Sequence, residues 1–196
     1  MTIFQKKEKI LRQLAKEIPI NEIKSPKIKK IIKEMKEDLS SQDDGVAIAA
    51  PQIGVSLRIF VVSGKIFHFG KTVPNKSKVI KEQVRNDSRL DSRSFASKDL
   101  VFINPKIVKL SKKKKFVPEG CLSVRWLYGE VKRSTNATIL AYDEKGEKFT
   151  RGAGGLLAQI FQHETDHLDG ILFTDKARNL KEMPPESVNQ ASKRSK

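Results

Sequence analysis

The clearest hydrophobic period in the chain runs over residues 25–39, where Ile28, Ile31, Ile32, Met35 and Leu39 recur at the spacing of one helical face. Ser25 and Pro26 stand where a helix takes its N-cap and first residue: a serine oxygen accepts from the open N–H groups, and proline has no N–H to leave unpaired. A weaker period through Leu11, Leu14 and Ile18 predicts a basic amphipathic helix stopped by Pro19. Residues 45–54 read GVAIAAPQIG, small and apolar, a stretch where backbone can approach a ligand closely. The apolar run at 57–62 predicts a buried strand. Strand signals return at 100–103 and, after a break at Asn104 and Pro105, at 107–110. Residues 135–142 and 147–150, joined by the turn-forming 143–146, predict an antiparallel hairpin. Helical spacing reappears over 156–168 through Leu156, Leu157, Ile160, Phe161 and Leu168, with Gly170 as terminator. Strands first and a late helix make this an α+β chain.

Two segments lack such patterning. Residues 70–99 are dominated by Lys, Arg, Ser, Asn and Asp, too long for a quiet loop, and read as a surface excursion or an unstructured insert. Residues 176–196 read as a loosely held basic C-terminal tail. The expected organisation is therefore a single domain over 1–175, carrying a polar insert at about 70–99 and followed by that tail; 196 residues suit one domain. Lys plus Arg number 39 and Asp plus Glu 23, a net charge of +16. Much of this excess is expected on solvated surface, and what clusters suits contact with RNA or a membrane surface. No run of about 18 apolar residues and no signal-peptide core is present, so a cytosolic protein with no membrane span is expected. Cys121 is the only cysteine, so its role is that of a packed thiol, a nucleophile or a metal ligand.

Chemistry concentrates in HETDH, residues 163–167, on the late helix. Residues four apart share a helical face, so His163 and His167 can bind one metal while Glu164 acts on a water activated there. A catalytic site of this kind needs a third ligand and an open position. Cys121, in PEGCLS, is the leading candidate, with Gly120 allowing a tight turn and the Leu122 N–H beside it. A Cys, His, His set suits Zn(II), Fe(II), Co(II) or Ni(II). Gln52, in AAPQIG, carries an amide able to donate to a developing oxyanion. His68, in FHF, reads as structural. Three rivals are weighed: a zinc protease with another third ligand, a hydrolase using Cys121 as nucleophile with a histidine base, and a basic RNA-binding protein without turnover, against which the intact Glu164 and ligand set argue.

Three ordered motifs, GVAIAAPQ at 45–52, EGCLS at 119–123 and QHETDH at 162–167, together with INP at 103–105 and HLDGILF at 167–173, resemble the peptide deformylase family over about 25–175. The resemblance implies antiparallel β-sheets packed around a central helix that carries the two histidines. It implies an enzyme that removes formyl from the N-terminal formyl-methionine of new polypeptides, so that N-formyl-methionyl peptides are its partners and neither DNA nor membrane is. It implies that Cys121, His163 and His167 ligate one divalent ion, Fe(II) foremost, that Glu164 is general acid and base, and that Gln52 and the Leu122 N–H hold the oxyanion. It implies that peptide backbone lies along Val46 as an added strand, and that the methionine side chain enters a pocket lined by Val117, Glu119, Leu156 and Ile160. Arg133 is expected to pair with Asp166. Two positions depart from the pattern: Ala47 where a glycine is usual, and Arg125 where a proline follows EGCLSV. A changed approach to the peptide or a changed peptide preference is expected from them.

Overall fold

The computed structural model of the chain describes residues 3–67 and 98–184. His68, the insert expected at 70–99 apart from its last two residues, and tail residues 185–196 lie outside the described residues. In chain order the rest forms helix α1 (Pro26–Ser40), strands β1 (Ala47–Ala49), β2 (Ile59–Val62), β3 (Leu100–Leu110), β4 (Lys114–Cys121), β5 (Val124–Ser134), β6 (Asn136–Tyr142) and β7 (Lys148–Gly154), helix α2 (Gly155–Leu168) and strand β8 (Arg178–Glu182). The strands make a five-stranded sheet, in the order β1-β2-β3-β6-β7, and a three-stranded sheet, β4-β5-β8. Every ladder is antiparallel.

Helix α1 starts as its sequence predicts: Pro26 takes the first position and the Ile28 N–H donates to Ser25 Oγ at 3.3 Å. Its apolar stripe meets Ile59 and Val61 of β2, while Phe60 and Val62, pointing the other way, meet α2. Both faces of β2 are thus dry, which explains an apolar run without alternation. Phe60 stacks on Phe102 at 4.6 Å between ring centroids, and Phe161 of α2 closes on Phe102 edge-on at 5.2 Å.

The opposite side of α2 is tied to the smaller sheet by polar groups. Gln159 Nε2 donates to the Pro118 carbonyl at 2.9 Å. Gln162 bonds both ways with the Ser134 backbone, accepting and donating at 3.0 Å. Two antiparallel sheets therefore enclose one central helix, the α+β arrangement expected.

Three local expectations change, and two strands form where none was expected. The helix through Leu11, Leu14 and Ile18 is instead a 3-10 turn at Lys9–Arg12 followed by extended chain. There the backbone bonds elsewhere: Ala15 N–H to the Leu168 carbonyl, Lys16 N–H to Ser56, and Arg58 N–H to Lys16. Leu11 and Ile18 are buried but Leu14 is exposed, so no apolar stripe exists to hold a helix. Strand β3 runs through Asn104 and Pro105 with a register shift rather than ending. Asn104 takes φ 50, which asparagine tolerates, and its side chain bonds the N–H and carbonyl of Ile18 at 2.8 and 2.7 Å. Strands β4 and β5 had no clear signal, because their alternating buried positions include Glu119, Arg133 and Ser134. Finally, Arg178–Glu182, inside the expected tail, pairs with β5 from Leu127 to Glu130, so the folded unit extends past residue 175. The hairpin β6–β7 forms as expected, its turn held by Asp143 Oδ1, which accepts from Lys145 and Glu147 N–H at 2.8 Å each.

Candidate metal centre and active site

Helix α2 brings His163 and His167 to one face, with ring centroids 4.9 Å apart. Strand β4 ends at Cys121 directly opposite, its Sγ 3.1 Å from His167 Nε2 although 46 residues separate them. One ligand atom from each of Cys121, His163 and His167 lies within 4.8 Å of the other two. The Ser123 N–H donates to the same sulfur at 3.4 Å. Burial alone pushes the Cys121 thiol up, but the charge and hydrogen bonds of His167 and His163 outweigh it and bring it down to about 5. The sulfur is therefore a thiolate at neutral pH, the form that binds metal.

Burial pushes the Glu164 carboxyl up to about 6 against the opposing pull of His163 and His167. Its Oε2 is buried and has no hydrogen-bond partner among the described residues. A soft sulfur, two imidazoles and an unpartnered carboxylate oxygen beside them form a donor set that fits one divalent ion with a bound water.

Glu119, expected to line the methionine pocket, is buried on β4 two residues from the buried Val117. Its carboxylate accepts from Arg133 Nε at 2.8 Å and Nη2 at 2.9 Å, and from His163 Nδ1 at 3.0 Å. The bond to Nδ1 fixes the His163 ring and leaves its other nitrogen for the metal. Burial raises the Glu119 carboxyl, but Arg133 and His163 dominate and hold it at about 2. Arg133 also donates to Asp166 Oδ2 at 2.6 Å, the expected pair, and Lys176 Nζ reaches Asp166 Oδ1 at 2.7 Å. The spacing of PEGC held a clue, since Glu119 and Cys121 are two apart and so share a face of β4.

Gln52 sits in the 3-10 turn Ala50–Ile53 and is buried. Its Oε1 accepts from the Ala49 N–H at 2.8 Å, which turns its amide nitrogen toward Ser123 Oγ at 3.1 Å and Cys121 Sγ at 3.5 Å. Leu122 follows Cys121 in the turn between β4 and β5, its side chain buried against the α1 cluster. Ser123, fully buried, is a participant that no motif reading had singled out.

Val46 precedes β1, an edge strand, and its carbonyl accepts from the Ser63 N–H at 2.9 Å. Leu156 and Ile160 are one helical turn apart, in a cluster shared with Ala47 and Val46, and Val117 is buried on β4. Ala47 lies in extended strand without positive φ, so the methyl that replaces the usual glycine is unstrained. Arg125 spans the rim: its Nη1 binds Asp44 Oδ1 and Oδ2 at 3.1 and 2.9 Å, and Nη2 binds Gln42.

Residues 1–183 match the sequence model of the family described as Polypeptide deformylase. Among similar curated proteins, Peptide deformylase 2 of Clostridium acetobutylicum is 34% identical over 169 residues, covering 86% of this chain and 89% of that protein. Peptide deformylase of Carboxydothermus hydrogenoformans is 37% identical over 171 residues, covering 87% and 89%. Among solved structures, the Met-Ala-Ser-bound class I type b peptide deformylase of Acinetobacter baumannii superposes with a TM-score of 0.72 at 27% identity, over 90% of this chain and 97% of that one.

Proposed function

The chain belongs to the polypeptide deformylase family, and from that premise we propose how its residues divide the work. The activity is hydrolysis of the N-formyl group from the N-terminal formyl-methionine of nascent polypeptides, and it is metal-dependent. Cys121, His163 and His167 hold one divalent ion, Fe(II) in this reading, with Zn(II), Ni(II) and Co(II) suited to the same donors. When bound, such an ion polarises the formyl carbonyl and lowers the pKa of a water from 15.7 toward about 7. The convergence of the three ligand atoms with the unpartnered Glu164 oxygen is the observation that carries the proposal.

Glu164 takes the proton of the attacking water and returns it to the departing amine. A carboxyl near 6 can do both close to neutral pH. The C–N bond breaks, and formate and a free methionine amine leave. The Gln52 amide and the Leu122 N–H hold the oxyanion that develops at the formyl oxygen, stabilising the tetrahedral state more than the planar substrate. The peptide adds as a strand along the open edge of β1 at Val46. Its methionine side chain enters a pocket lined by Val117, Glu119, Leu156 and Ile160, with the Glu119 carboxylate also orienting His163.

No helix among the described residues is long and apolar enough to cross a membrane. We place the protein in a cytoplasm, bacterial or that of an organelle derived from one. Residues 1–175 supply the catalytic domain, with β8 completing its smaller sheet, and the net charge of +16 favours contact with ribosomal RNA. The deciding experiment is formate release from a formyl-methionyl tripeptide by anaerobically purified protein, with metal content measured alongside. Release is expected to need about one metal per chain, to stop on chelation and to vanish in Glu164→Gln. Metal binding without formate release refutes the reaction, and release insensitive to chelators but abolished by thiol alkylation would transfer the chemistry to Cys121 as nucleophile.

A further inference from the structure

The chain's first described residues run beneath both groups assigned to the oxyanion. The Phe4 N–H donates to the Gln52 carbonyl at 2.8 Å. One residue on, Gln5 Nε2 donates to the Leu122 carbonyl at 3.2 Å, across 117 positions of sequence. The Phe4 ring also closes on Gly54, the φ +84 residue that ends the turn bearing Gln52. A Cβ there would lie 2.7 Å from the ring, so only glycine lets the two segments meet.

The Leu122 carbonyl and the Ser123 N–H belong to one peptide unit. Gln5 therefore grips one end of an amide whose other end donates to the Cys121 sulfur at 3.4 Å. Holding that plane sets the turn from which the Leu122 N–H projects, and an amide that accepts at oxygen is a stronger donor at nitrogen. Gln5 itself is exposed and its amide makes one other contact, to the Ile3 carbonyl at 3.1 Å. Little stability depends on it, yet it touches the turn where precision matters most.

We propose that residues 3–5 form a strap that aligns the oxyanion-binding groups, with Gln5 as a positioning residue. The proposal rests on the assignment of Gln52 and Leu122 as oxyanion donors. The test is Gln5→Met, close in size but without the amide, compared with wild-type holoenzyme. Nitrogen-15 spectra are expected to show the Ser123 N–H and the Gln52 side-chain NH2 shifting while resonances of β7 stay fixed. In the formyl-peptide assay kcat is expected to fall about tenfold, with KM within about twofold and metal content unchanged. Gln5→Asn, which keeps the amide on a shorter stem, is expected to recover part of kcat. Unmoved Ser123 and Gln52 resonances overturn the strap, as do an unchanged kcat, a loss carried by KM, or a loss explained by metal release. Shifted resonances in a protein whose wild type releases no formate support the strap and sink the proposed reaction instead.

Discussion

Arg133→Met removes the cation at the centre of the buried ion network while keeping an unbranched apolar stem of similar reach. Three charge-assisted bonds disappear, two to Glu119 and one to Asp166. The Glu119 side chain is 2% exposed, so water cannot replace them. Two routes give the magnitude. Removing one partner of a buried pair costs about 3–5 kcal/mol, because the other charge stays buried and unpaired. Independently, the gap between the ordinary carboxyl value of 4.5 and the folded value of about 2 corresponds to about 3 kcal/mol, the net of burial opposed by Arg133 and His163 together. The two agree well enough to predict a loss of about 3 kcal/mol at pH 7, or a fall in Tm of about 6–12 °C for a chain of this size. The sign of the pH dependence separates this cause from lost packing. A lowered folded pKa contributes stability that is present above the unfolded value and is lost as pH falls from about 4.5 toward 2. The wild type therefore loses this contribution in acid, whereas the variant keeps only what His163 supplies to Glu119 and has less to lose, so the gap between them is expected to narrow between pH 6 and pH 3. Urea denaturation of the metal-free proteins at both pH values measures it, and Arg133→Met with Glu119→Gln is expected to recover part of the loss. A pH-independent gap, or a double variant as damaged as the sum of the singles, would refute the reasoning.

Four further outcomes are expected. Gln52→Leu removes the side-chain donor from the oxyanion site and is expected to lower kcat about 10²–10³-fold with metal content unchanged; a loss confined to KM would remove Gln52 from the chemistry. Cys121→Ser is expected to abolish the thiolate-to-metal charge-transfer band of the Co(II)-loaded protein and to weaken metal binding measured by competition with a chelator. Intact binding would mean another third ligand. Gly170→Ala forces a side chain onto φ +72 and places its Cβ 2.8 Å from the Arg12 carbonyl, so thermal melts are expected to show a loss above about 1 kcal/mol. Gly152→Ala, whose Cβ would meet only Thr138 Oγ1 at 3.7 Å, is expected to stay within about 0.5 kcal/mol.

Elements whose bonds and packing are set locally were readable from the chain. Helix α1 announced itself by a cap, a proline and a stripe, all within 15 residues. Strand β2 showed as an apolar run because both of its faces are covered. The segment around Leu11 and Ile18 misled because its period imitated a helix while its backbone bonds reach Leu168, Ser56 and Arg58, partners that no local window contains. Strands β4 and β5 hid for a related reason. Their inward positions carry Glu119 and Arg133, which read as surface until each is seen to neutralise the other.

The same distinction divides the site. His163, Glu164 and His167 were legible together because four residues make one turn of helix, and the spacing alone supplies the geometry. Cys121 was legible as the leading third-ligand candidate, but not its geometry, since its approach to His167 depends on β4 ending opposite α2. Glu119 was named for its place in the pocket wall, but its bonds were not legible: a resemblance transfers positions, whereas bonding depends on which side chains arrive beside them. Arg133, from β5, and His163, from α2, arrive there, and their hydrogen bonds hold the carboxylate against the His163 ring. Ser123 stood inside the EGCLS motif without a role of its own, because its contacts to Gln52 and Cys121 form only in the fold, and Gln5 reaches the site across 117 positions. Bonds of that reach form only once the strands are in register.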